Sequence, residues 1–575
     1  MNYTEEYNKW LNSTAIDEAD KALLKSMENN ESEIKDAFYQ TLAFGTAGLR
    51  GVLGMGTNRM NKYVVRRATQ GISNYISKHG EELKKRGVVI GYDSRHFSAE
   101  FALETALTLC ANGIRAYLFE SLRPVPEISF SIRHLKCIAG IAITASHNPA
   151  KYNGYKAYWE DGGQLPPSVS DKVLEEINAL DIFDAKTISK EDAEKSGLLT
   201  IIGKEVDDAY IDAVYTQAIN PDVVKDVADT FKLVYTPIHG SGNKPVRAIL
   251  EKSGFKHVIV VKEQEEPDGS FPTVTAPNPE NKECFTKAVE LAKANDVSLI
   301  IGTDPDADRM GIMLRNDEGE YIPMSGNQVG ALLADYIISA KKERGTLPAN
   351  GAVISTIVST KMARVLTESH GMEYIEVLTG FKFIGEKIHQ FETTGCNEFL
   401  LGFEESYGYL VGTHARDKDA VVASMLIAEM AAYYSKKGKT LYDVMQELYK
   451  TYGGFAEETV SITMEGSDGI AKIKAIMEDM RNNMPECFGK FKVNAIRDYK
   501  TSVKHNLSDG SEEALTLPES DVLYFELTDG ASFVARPSGT EPKIKLYYLI
   551  QSDTEENAKK VLADVKIAVE QYMNK

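Results

Sequence analysis

The sequence predicts a layered α/β protein built from several domains. At 575 residues the chain is too long to fold around a single hydrophobic core. Apolar runs of strand length alternate with helix-like segments along it, a pattern typical of α/β domains. Hydrophobic residues make up 43% of the chain and charged residues 26%, so we expect a globular protein rather than a disordered one.

The elements follow in order along the chain. The first forty residues are charged and amphipathic, which predicts helix. Strand-like runs then lie at 88–93, 138–143, 232–235, 297–301, 353–357, 398–401, 531–535 and 544–550. Helices are expected at 420–434, whose apolar positions indicate core packing, and at 554–572. These patterns predict four domains at 1–205, 206–318, 319–452 and 453–575, the first including the N-terminal helical extension.

Composition excludes several classes of function. A net charge of −19 argues against binding to nucleic acid or to an acidic membrane surface. Five cysteines without paired spacing indicate a reducing compartment. The N-terminus lacks the pattern of a signal peptide, and there is no apolar run near twenty residues. We therefore expect a cytoplasmic protein with no membrane partner.

The most informative segment is TASHNP at 144–149, directly after the apolar run 138–143. Asn-Pro cannot continue a strand, so the segment is expected to form a tight loop. A serine on such a loop, here Ser146 with His147 beside it, is suited to carry a covalent group. Alone the signal is weak, because many serines in such turns only cap a helix.

A second segment, DPDADR at 304–309, follows the strand-like run 297–301. Three carboxylates at alternate positions repel one another unless a cation lies among them, and hard oxygen ligands suit Mg²⁺ or Ca²⁺. An EF-hand is excluded, because Arg309 and Arg315 occupy its glycine and glutamate positions. The alternative is a solvated acidic turn. Arg309 is a candidate for a bidentate contact to phosphate.

Two further loops carry candidate ligand-binding groups. RPSGTEPK at 536–543 lies between two predicted strands and combines Arg, hydroxyls and Gly-permitted backbone amides in an anion cradle. A plain hairpin turn explains its Pro and Gly but not its other residues. GFEESYGY at 402–409 places a carboxylate and a hydroxyl on a short loop, a pair suited to sugar hydroxyls, although by itself this signal is weak.

These four segments, in this order, resemble those of the α-D-phosphohexomutase family, from about residue 44 to the C-terminus. The resemblance implies that Ser146 carries a phosphoryl group. It implies a Mg²⁺ site made by Ser146, Asp304, Asp306 and Asp308. Beside Ser146, the candidate catalytic residues are Arg50, His147, Lys156 and Lys382. The candidate substrate-binding residues are Arg309, Glu404, Ser406, Arg536, Ser538, Gly539, Thr540 and Lys543.

The family resemblance also implies a fold and an activity. The fold is three similar mixed-sheet α/β domains and a smaller C-terminal α+β domain around a central cleft. The activity is that of a phosphoglucomutase, acting through a phosphoserine and glucose 1,6-bisphosphate on small sugar phosphates, as a monomer or homodimer. The third-domain loop reads TGFK at 379–382, with no histidine, as in the glucose branch. Phosphopentomutase and phosphomannomutase of the same family remain alternatives.

Two readings from other classes compete with the mutase. A Mg²⁺-dependent sugar phosphatase would use Asp304 as nucleophile, but Asp308 replaces the Thr or Val usual in that motif, and the Ser146 loop would have no role. A sugar-phosphate sensor without catalysis would not need both the serine and the metal loop intact. Transfer of phosphate to water alone would identify the phosphatase, and ligand binding without turnover would identify the sensor.

Overall fold

The computed structural model describes residues 2–45, 48–464, 469–538 and 543–573. The chain forms two compact units. The first comprises Met1–Met324, Gly385–Thr394 and Gly408–Lys436, and the second comprises Ser325–Ile384, Gly395–Tyr407 and Lys437–Lys575. No helix of the described residues is both long enough and apolar enough to cross a bilayer.

The N-terminal segment forms three short helices: α1 (Tyr3–Asn12), α2 (Glu18–Ser26) and α3 (Glu31–Phe38). Each begins after an Asn or Asp whose side chain accepts a hydrogen bond from a first-turn amide. Trp10 is fully buried and makes edge contacts with Phe38 and Tyr63, both at 5.6 Å between ring centroids. These helices therefore pack on the first α/β domain through aromatic contacts.

The first sheet has six strands: β1 (Leu49–Val52), β2 (Val88–Tyr92), β3 (Ala116–Phe119), β4 (Ala139–Ile143), β5 (Tyr152–Trp159) and β6 (Leu199–Ile202). Their order is β1-β5-β4-β2-β3-β6, with parallel pairing from β4 through β6 and antiparallel pairing at β5 and β1. Its helices are α4 (Lys62–Lys78), α5 (Glu81–Arg86), α6 (Ser98–Ala111), α7 (Val125–His134), α8 (Pro167–Asn178) and α9 (Lys190–Lys195). Because β4 is buried at every position, its end fixes the start of the serine loop inside the protein.

Two helices, α10 (Lys204–Tyr215) and α11 (Pro221–Val227), lead to a second sheet of five strands. These are β7 (Lys232–Thr236), β8 (His257–Val260), β9 (Leu299–Thr303), β10 (Met310–Arg315) and β11 (Tyr321–Met324), in the order β11-β10-β9-β7-β8. The helices are α12 (Asn243–Ser253), α13 (Lys262–Glu265), a 3₁₀ turn (Lys282–Phe285) and α14 (Thr286–Asn295). Strands β9 and β10 are antiparallel, so the acidic loop 304–309 is a hairpin connection between buried strands.

The third sheet, in the second unit, has parallel strands β12 (Gly351–Thr356), β13 (Glu373–Val377) and β14 (Glu398–Glu404), with β12 between the other two. Its helices are α15 (Gly326–Glu343), α16 (Lys361–Ser369) and the start of α17 (Phe381–Thr394). The next stretch contains β15 (Gly408–Leu410) and α18 (Ala420–Ser435), which belong to the first unit. Helix α18 is buried over most of its length, as its apolar sequence predicts.

After α19 (Leu441–Tyr452) the chain forms an antiparallel sheet ordered β16-β23-β22-β21-β18-β19-β20, with β17 paired to β18. The strands are β16 (Gly454–Thr463), β17 (Cys487–Phe488), β18 (Phe491–Asp498), β19 (Val503–Asn506), β20 (Glu512–Ala514), β21 (Leu523–Leu527), β22 (Ala531–Pro537) and β23 (Lys543–Ser552). The helices are α20 (Gly469–Asn483) and α21 (Glu555–Met573). Stacked Phe525 and Phe533, 4.5 Å apart, lie in the core of this domain.

Four sheets, three in α/β domains and one in a β-rich C-terminal domain, confirm the predicted fold class. The four domain boundaries and the central cleft stay predictions.

Candidate active site

The serine loop is held in an unusual backbone conformation at the end of β4. Ser146 is buried and has a φ of 52°, in the left-handed region that side chains other than Gly rarely adopt. Thr144 stabilises the turn: its Oγ1 accepts a hydrogen bond from the Ser146 amide at 2.8 Å and donates to Asp93 Oδ2 at 2.6 Å. Such strain persists only where neighbouring groups enforce it, and it is common at functional sites.

Arg95 makes most of the hydrogen bonds that hold the serine loop in this conformation. Its buried guanidinium donates to the backbone carbonyls of Ser146 at 2.5 Å and of Pro149 and Tyr152 at 3.0 Å each, and also to that of Asn148. Four carbonyls of one loop thus converge on a single side chain. No sequence pattern predicted Arg95 as part of the site.

The Ser146 hydroxyl lies between an acid and an imidazole. Its Oγ donates to Asp304 Oδ2 at 2.8 Å and lies 3.1 Å from His147 Nδ1. Burial, together with the nearby charges of Arg309 and Arg50, lowers the pKa of His147 well below its usual value. The imidazole is therefore neutral near pH 7.

The three aspartates of the acidic loop form a compact cluster. Asp304, Asp306 and Asp308 are all buried, and one oxygen of each lies within 4.8 Å of the others. The loop is fixed from outside by two amides: the Val125 amide donates to the Asp306 carbonyl at 2.9 Å, and the Ala420 amide to the Ala307 carbonyl at 3.1 Å. The oxygens are therefore preorganised.

Two lysines partly neutralise this cluster. Lys156 Nζ bonds Asp306 Oδ2 at 2.8 Å and Asp308 Oδ2 at 3.1 Å, and Lys418 Nζ lies 3.4 Å from the same Asp308 oxygen. Burial alone would raise the pKa of Asp308, but Lys156 and Lys418 lower it below the usual range. Burial, Asp306 and Asp308 raise the pKa of Asp304 well above its usual value.

The donor set suits a hard divalent cation. The Oδ1 atoms of Asp306 and Asp308 are buried and accept no hydrogen bond from any described residue. Buried carboxylate oxygens without partners are costly unless a cation or a donor reaches them. Carboxylate oxygens and a serine oxygen are ligands that Mg²⁺ prefers, so the residues predicted for the metal fit that ion.

The two arginines predicted beside the reacting group have protein partners. Arg309 Nη1 donates to Glu280 Oε1 at 2.9 Å, and its backbone amide donates to Asp304 Oδ1 at 3.0 Å. Arg50, on β1, donates to Asn148 Oδ1 at 3.3 Å. Both side chains therefore lie near the serine and acidic loops. Contact between Arg309 and a phosphate stays a prediction.

The sugar-binding candidates lie in the second unit. Glu404, the last residue of β14, is buried, and its Oε1 accepts a hydrogen bond from the Gly380 amide at 2.9 Å, in the loop that precedes Lys382. Ser406 is half-buried two residues later. Burial and the neighbouring Glu404 raise the pKa of Glu405 to about 7. The loop thus contains two adjacent carboxyl groups.

The predicted anion cradle, 536–543, includes the end of β22 and the first residue of β23. Arg536 pairs with Lys545 in the strand register, and the Ser538 amide donates to the Lys543 carbonyl at 2.8 Å. Gly539 and Thr540 lie outside the described residues. Burial raises the pKa of Tyr547. The charge of Glu405 raises this pKa further, and the charge of Arg536 lowers it. Glu405 and Arg536 therefore act in opposite directions on the same tyrosine.

The predicted residues accordingly form two groups, one in each unit. The first unit brings together Arg50, Ser146, His147, Lys156, Asp304, Asp306, Asp308 and Arg309. The second unit holds Lys382, Glu404, Ser406, Arg536, Ser538 and Lys543. The functional roles of these residues stay predictions.

Lys418, which was not predicted from the sequence, also reaches the acidic cluster. It belongs to a run of four charged residues, 416–419, that are all buried just before α18. A run of charged residues usually lies on a solvated surface. Its position directly before an apolar helix was the one sequence feature that indicated burial of these charges. Tyr158 donates to Asp417 Oδ2 at 3.0 Å in the same run.

The chain is similar to known proteins over most of its length. The family profiles for phosphoglucomutase/phosphomannomutase α/β/α domains I, II and III match residues 41–182, 208–319 and 325–452. A phosphoglucomutase of Staphylococcus epidermidis is 38% identical over 550 residues, which are 95% of this chain and 97% of the relative. One from Staphylococcus aureus is 37% identical over 538 residues, 92% and 94% of the two chains.

The fold also matches solved structures. The open form of parafusin, a phosphoglucomutase of Paramecium, aligns with a TM-score of 0.69 at 19% identity and covers 92% of this chain and 96% of that chain. The family profiles and the full-length bacterial relatives confirm the resemblance inferred from the four loops. This chain is a member of the phosphoglucomutase/phosphomannomutase family, the α-D-phosphohexomutases.

Proposed function

We propose that this protein is a phosphoglucomutase, which interconverts α-D-glucose 1-phosphate and glucose 6-phosphate through phosphorylated Ser146 and glucose 1,6-bisphosphate. The observation that carries the proposal is the position of Ser146 Oγ, 2.8 Å from an acidic-cluster oxygen and 3.1 Å from a neutral imidazole. The full-length relatives named phosphoglucomutase support the choice of sugar.

Two phosphoryl transfers make up the reaction. In the first, the bond between Ser146 Oγ and phosphorus breaks, a bond forms to a sugar hydroxyl oxygen, and that hydroxyl loses its proton. In the second, the bond between the other phosphorus and its sugar oxygen breaks and a bond forms from that phosphorus to Ser146 Oγ. The Ser146 hydroxyl loses its proton, and the sugar oxygen gains one. Each half-reaction needs a group that takes a proton and one that returns it, and neutral His147 is placed to serve the Ser146 oxygen.

The acidic cluster is the proposed cation site. Asp304, Asp306 and Asp308, with an oxygen of Ser146, would hold Mg²⁺, which offsets negative charge on a transferring phosphoryl group. Lys156 bonds two of these aspartates and keeps them in place between half-reactions. The left-handed backbone at Ser146, imposed by Arg95 and Thr144, presents the hydroxyl to the cluster.

The second unit is proposed to recognise the rest of the substrate. Glu404 and Ser406 would bond sugar hydroxyls, and Arg536 with the cradle residues would bind the phosphate that is not reacting. Buried polar groups that bond a substrate hydroxyl are left without a partner when an analogue lacks that hydroxyl. Such a site therefore discriminates against the analogue.

A cytoplasmic location is proposed on the basis of the cysteines. All five are free thiols, and three of them, Cys110, Cys137 and Cys284, are buried. A reducing compartment is compatible with this state.

One coupled assay tests the proposal. Initial rates are compared with glucose 1-phosphate, mannose 1-phosphate and ribose 1-phosphate, and free phosphate is measured in parallel. We expect the highest kcat/KM with glucose 1-phosphate and no net release of phosphate. A preference for ribose 1-phosphate would instead establish a phosphopentomutase, and steady release of phosphate would establish a phosphatase.

A further inference from the structure

A cavity of about 300 Å³ opens in the second unit, away from the residues assigned above. Helix α16 lines one side of it and strands β18, β21 and β22 line the other. None of the lining residues belongs to the segments 402–409 and 536–543. The lining is charged, which is unusual for a cavity that only reflects imperfect packing.

Lys361, the first residue of α16, points its ammonium group into this cavity's polar wall. Its Nζ donates to the hydroxyl of buried Ser532 at 2.8 Å, and no carboxylate of the described residues forms an ion pair with it. Burial lowers the pKa of Lys361, only partly opposed by Glu526. Lys361 is half-buried and, among the described residues, has no ion-paired carboxylate, so a bound anion would stabilise its charge.

The other charges of the cavity leave a positive excess. Arg364 pairs with Glu376 at 2.6 Å, and Arg497 contacts both Glu526 at 2.5 Å and Glu376 at 3.5 Å. The lining thus contains two carboxylates and three cations, the third being Lys361. Because the carboxylates are engaged by the arginines, the excess charge lies at Lys361.

The lining also supplies neutral donors. Tyr524 lies beside Ser532, and its ring packs 4.5 Å from the Arg497 guanidinium. Ammonium, guanidinium and hydroxyl groups therefore face one small volume from different sides. A phosphoryl group offers several anionic oxygens, which these three kinds of donor can bind.

We propose that this cavity is a binding site for the phosphoryl group of a small phosphorylated metabolite, separate from the substrate site. The group would bond the Lys361 ammonium and the exposed donors of Arg364. The cavity volume exceeds that of a phosphate ion and reaches the lower end of small-ligand pockets, which favours a phosphate monoester. The inference does not depend on the proposed catalytic activity.

Competitive labelling of lysines tests the site directly. The protein is treated with trace amine-reactive reagent, and peptide mass spectrometry measures labelling of Lys361 and of exposed Lys492 in the same unit. Glycerol 3-phosphate at ten times its Kd should slow labelling of Lys361 about tenfold, because about nine-tenths of the sites are then filled. Lys492 should be unaffected.

Matched arms make the result decisive. Sodium chloride at equal ionic strength should not protect Lys361 from labelling. If it protects Lys361 as well as the phosphate ester does, the effect is charge screening and the proposal is wrong. Inorganic phosphate is the second probe, and stronger protection by it than by the ester would assign the site to free phosphate. Failure of both phosphates to protect Lys361 would refute the site.

Two variants separate this site from the substrate site. Arg364→Met removes a half-exposed donor and should raise the apparent Kd for protection by about tenfold to a hundredfold. Arg536→Met alters only the anion cradle and should leave protection of Lys361 unchanged. If Arg536→Met abolishes the protection, the effect arises at the substrate site and the proposal is wrong.

Discussion

Replacing Arg95 with methionine tests how the serine loop is shaped. Methionine keeps much of the apolar volume but removes the donors that hold four loop carbonyls, among them that of Ser146. Ser146 would then lose the groups that enforce its left-handed backbone. We expect the loop to relax and the hydroxyl to leave its position beside Asp304.

The size of the effect follows from those bonds. A buried acceptor left without its donor costs about 1–3 kcal/mol. The summed cost of leaving four such carbonyls without donors would exceed the backbone strain at Ser146. The native loop conformation would then no longer be the favoured one. If only about 3 kcal/mol of this cost is added to the activation barrier because the hydroxyl is misaligned, kcat falls about a hundredfold.

The assay is a coupled measurement of glucose 6-phosphate formation. Arg86→Met is the matched control, because Arg86 also donates to backbone carbonyls of this domain, those of Lys136 and Cys137, but away from the site. Circular dichroism checks that both variants fold. Equal turnover of the Arg95 and Arg86 variants would refute the role given to Arg95.

Three further predictions follow from the site and its surroundings. Chelation should abolish turnover and added Mg²⁺ should restore it, because Asp306 and Asp308 offer buried oxygens without donors; full activity after exhaustive chelation would remove the metal from the account. Arg536→Met should lower kcat/KM about tenfold to a hundredfold for both glucose phosphates, since the cradle meets each phosphate in turn; a loss with one substrate only would assign the loop another task. Burial, then Asp207, raises the pKa of Glu127 well above its ordinary value of 4.5, so its contribution to stability is complete below pH 4.5 and is lost as pH rises through the folded-state pKa. Glu127→Gln should therefore gain melting temperature relative to the parent between pH 5 and 8, and an equal difference at both ends of that range would contradict this.

The parts predicted from sequence are those whose signals are local. Buried strands appeared as short apolar runs, so 531–535 and 544–550 were found within β22 and β23. The serine and acidic loops could be recognised because their chemistry is written in consecutive residues directly after such strands.

The parts that escaped depend on contacts between distant residues. Arg95 lies 51 positions before Ser146, and nothing in its own neighbourhood indicates that its guanidinium binds the serine loop. Lys418 reaches Asp308 only because the chain returns to the first unit after the third sheet. Propensity and periodicity describe neighbours along the chain, so neither residue could be assigned from them.

The central claim is that Ser146 carries the phosphoryl group, and intact-peptide mass spectrometry of the purified protein tests it most directly. We predict a phosphorylated peptide containing Ser146, whose phosphoryl group exchanges with that of isotopically labelled substrate. The phosphorylated peptide should be absent in Ser146→Ala, together with loss of nearly all turnover in that variant. A Ser146 peptide that is never phosphorylated, combined with normal turnover of Ser146→Ala, would contradict the account.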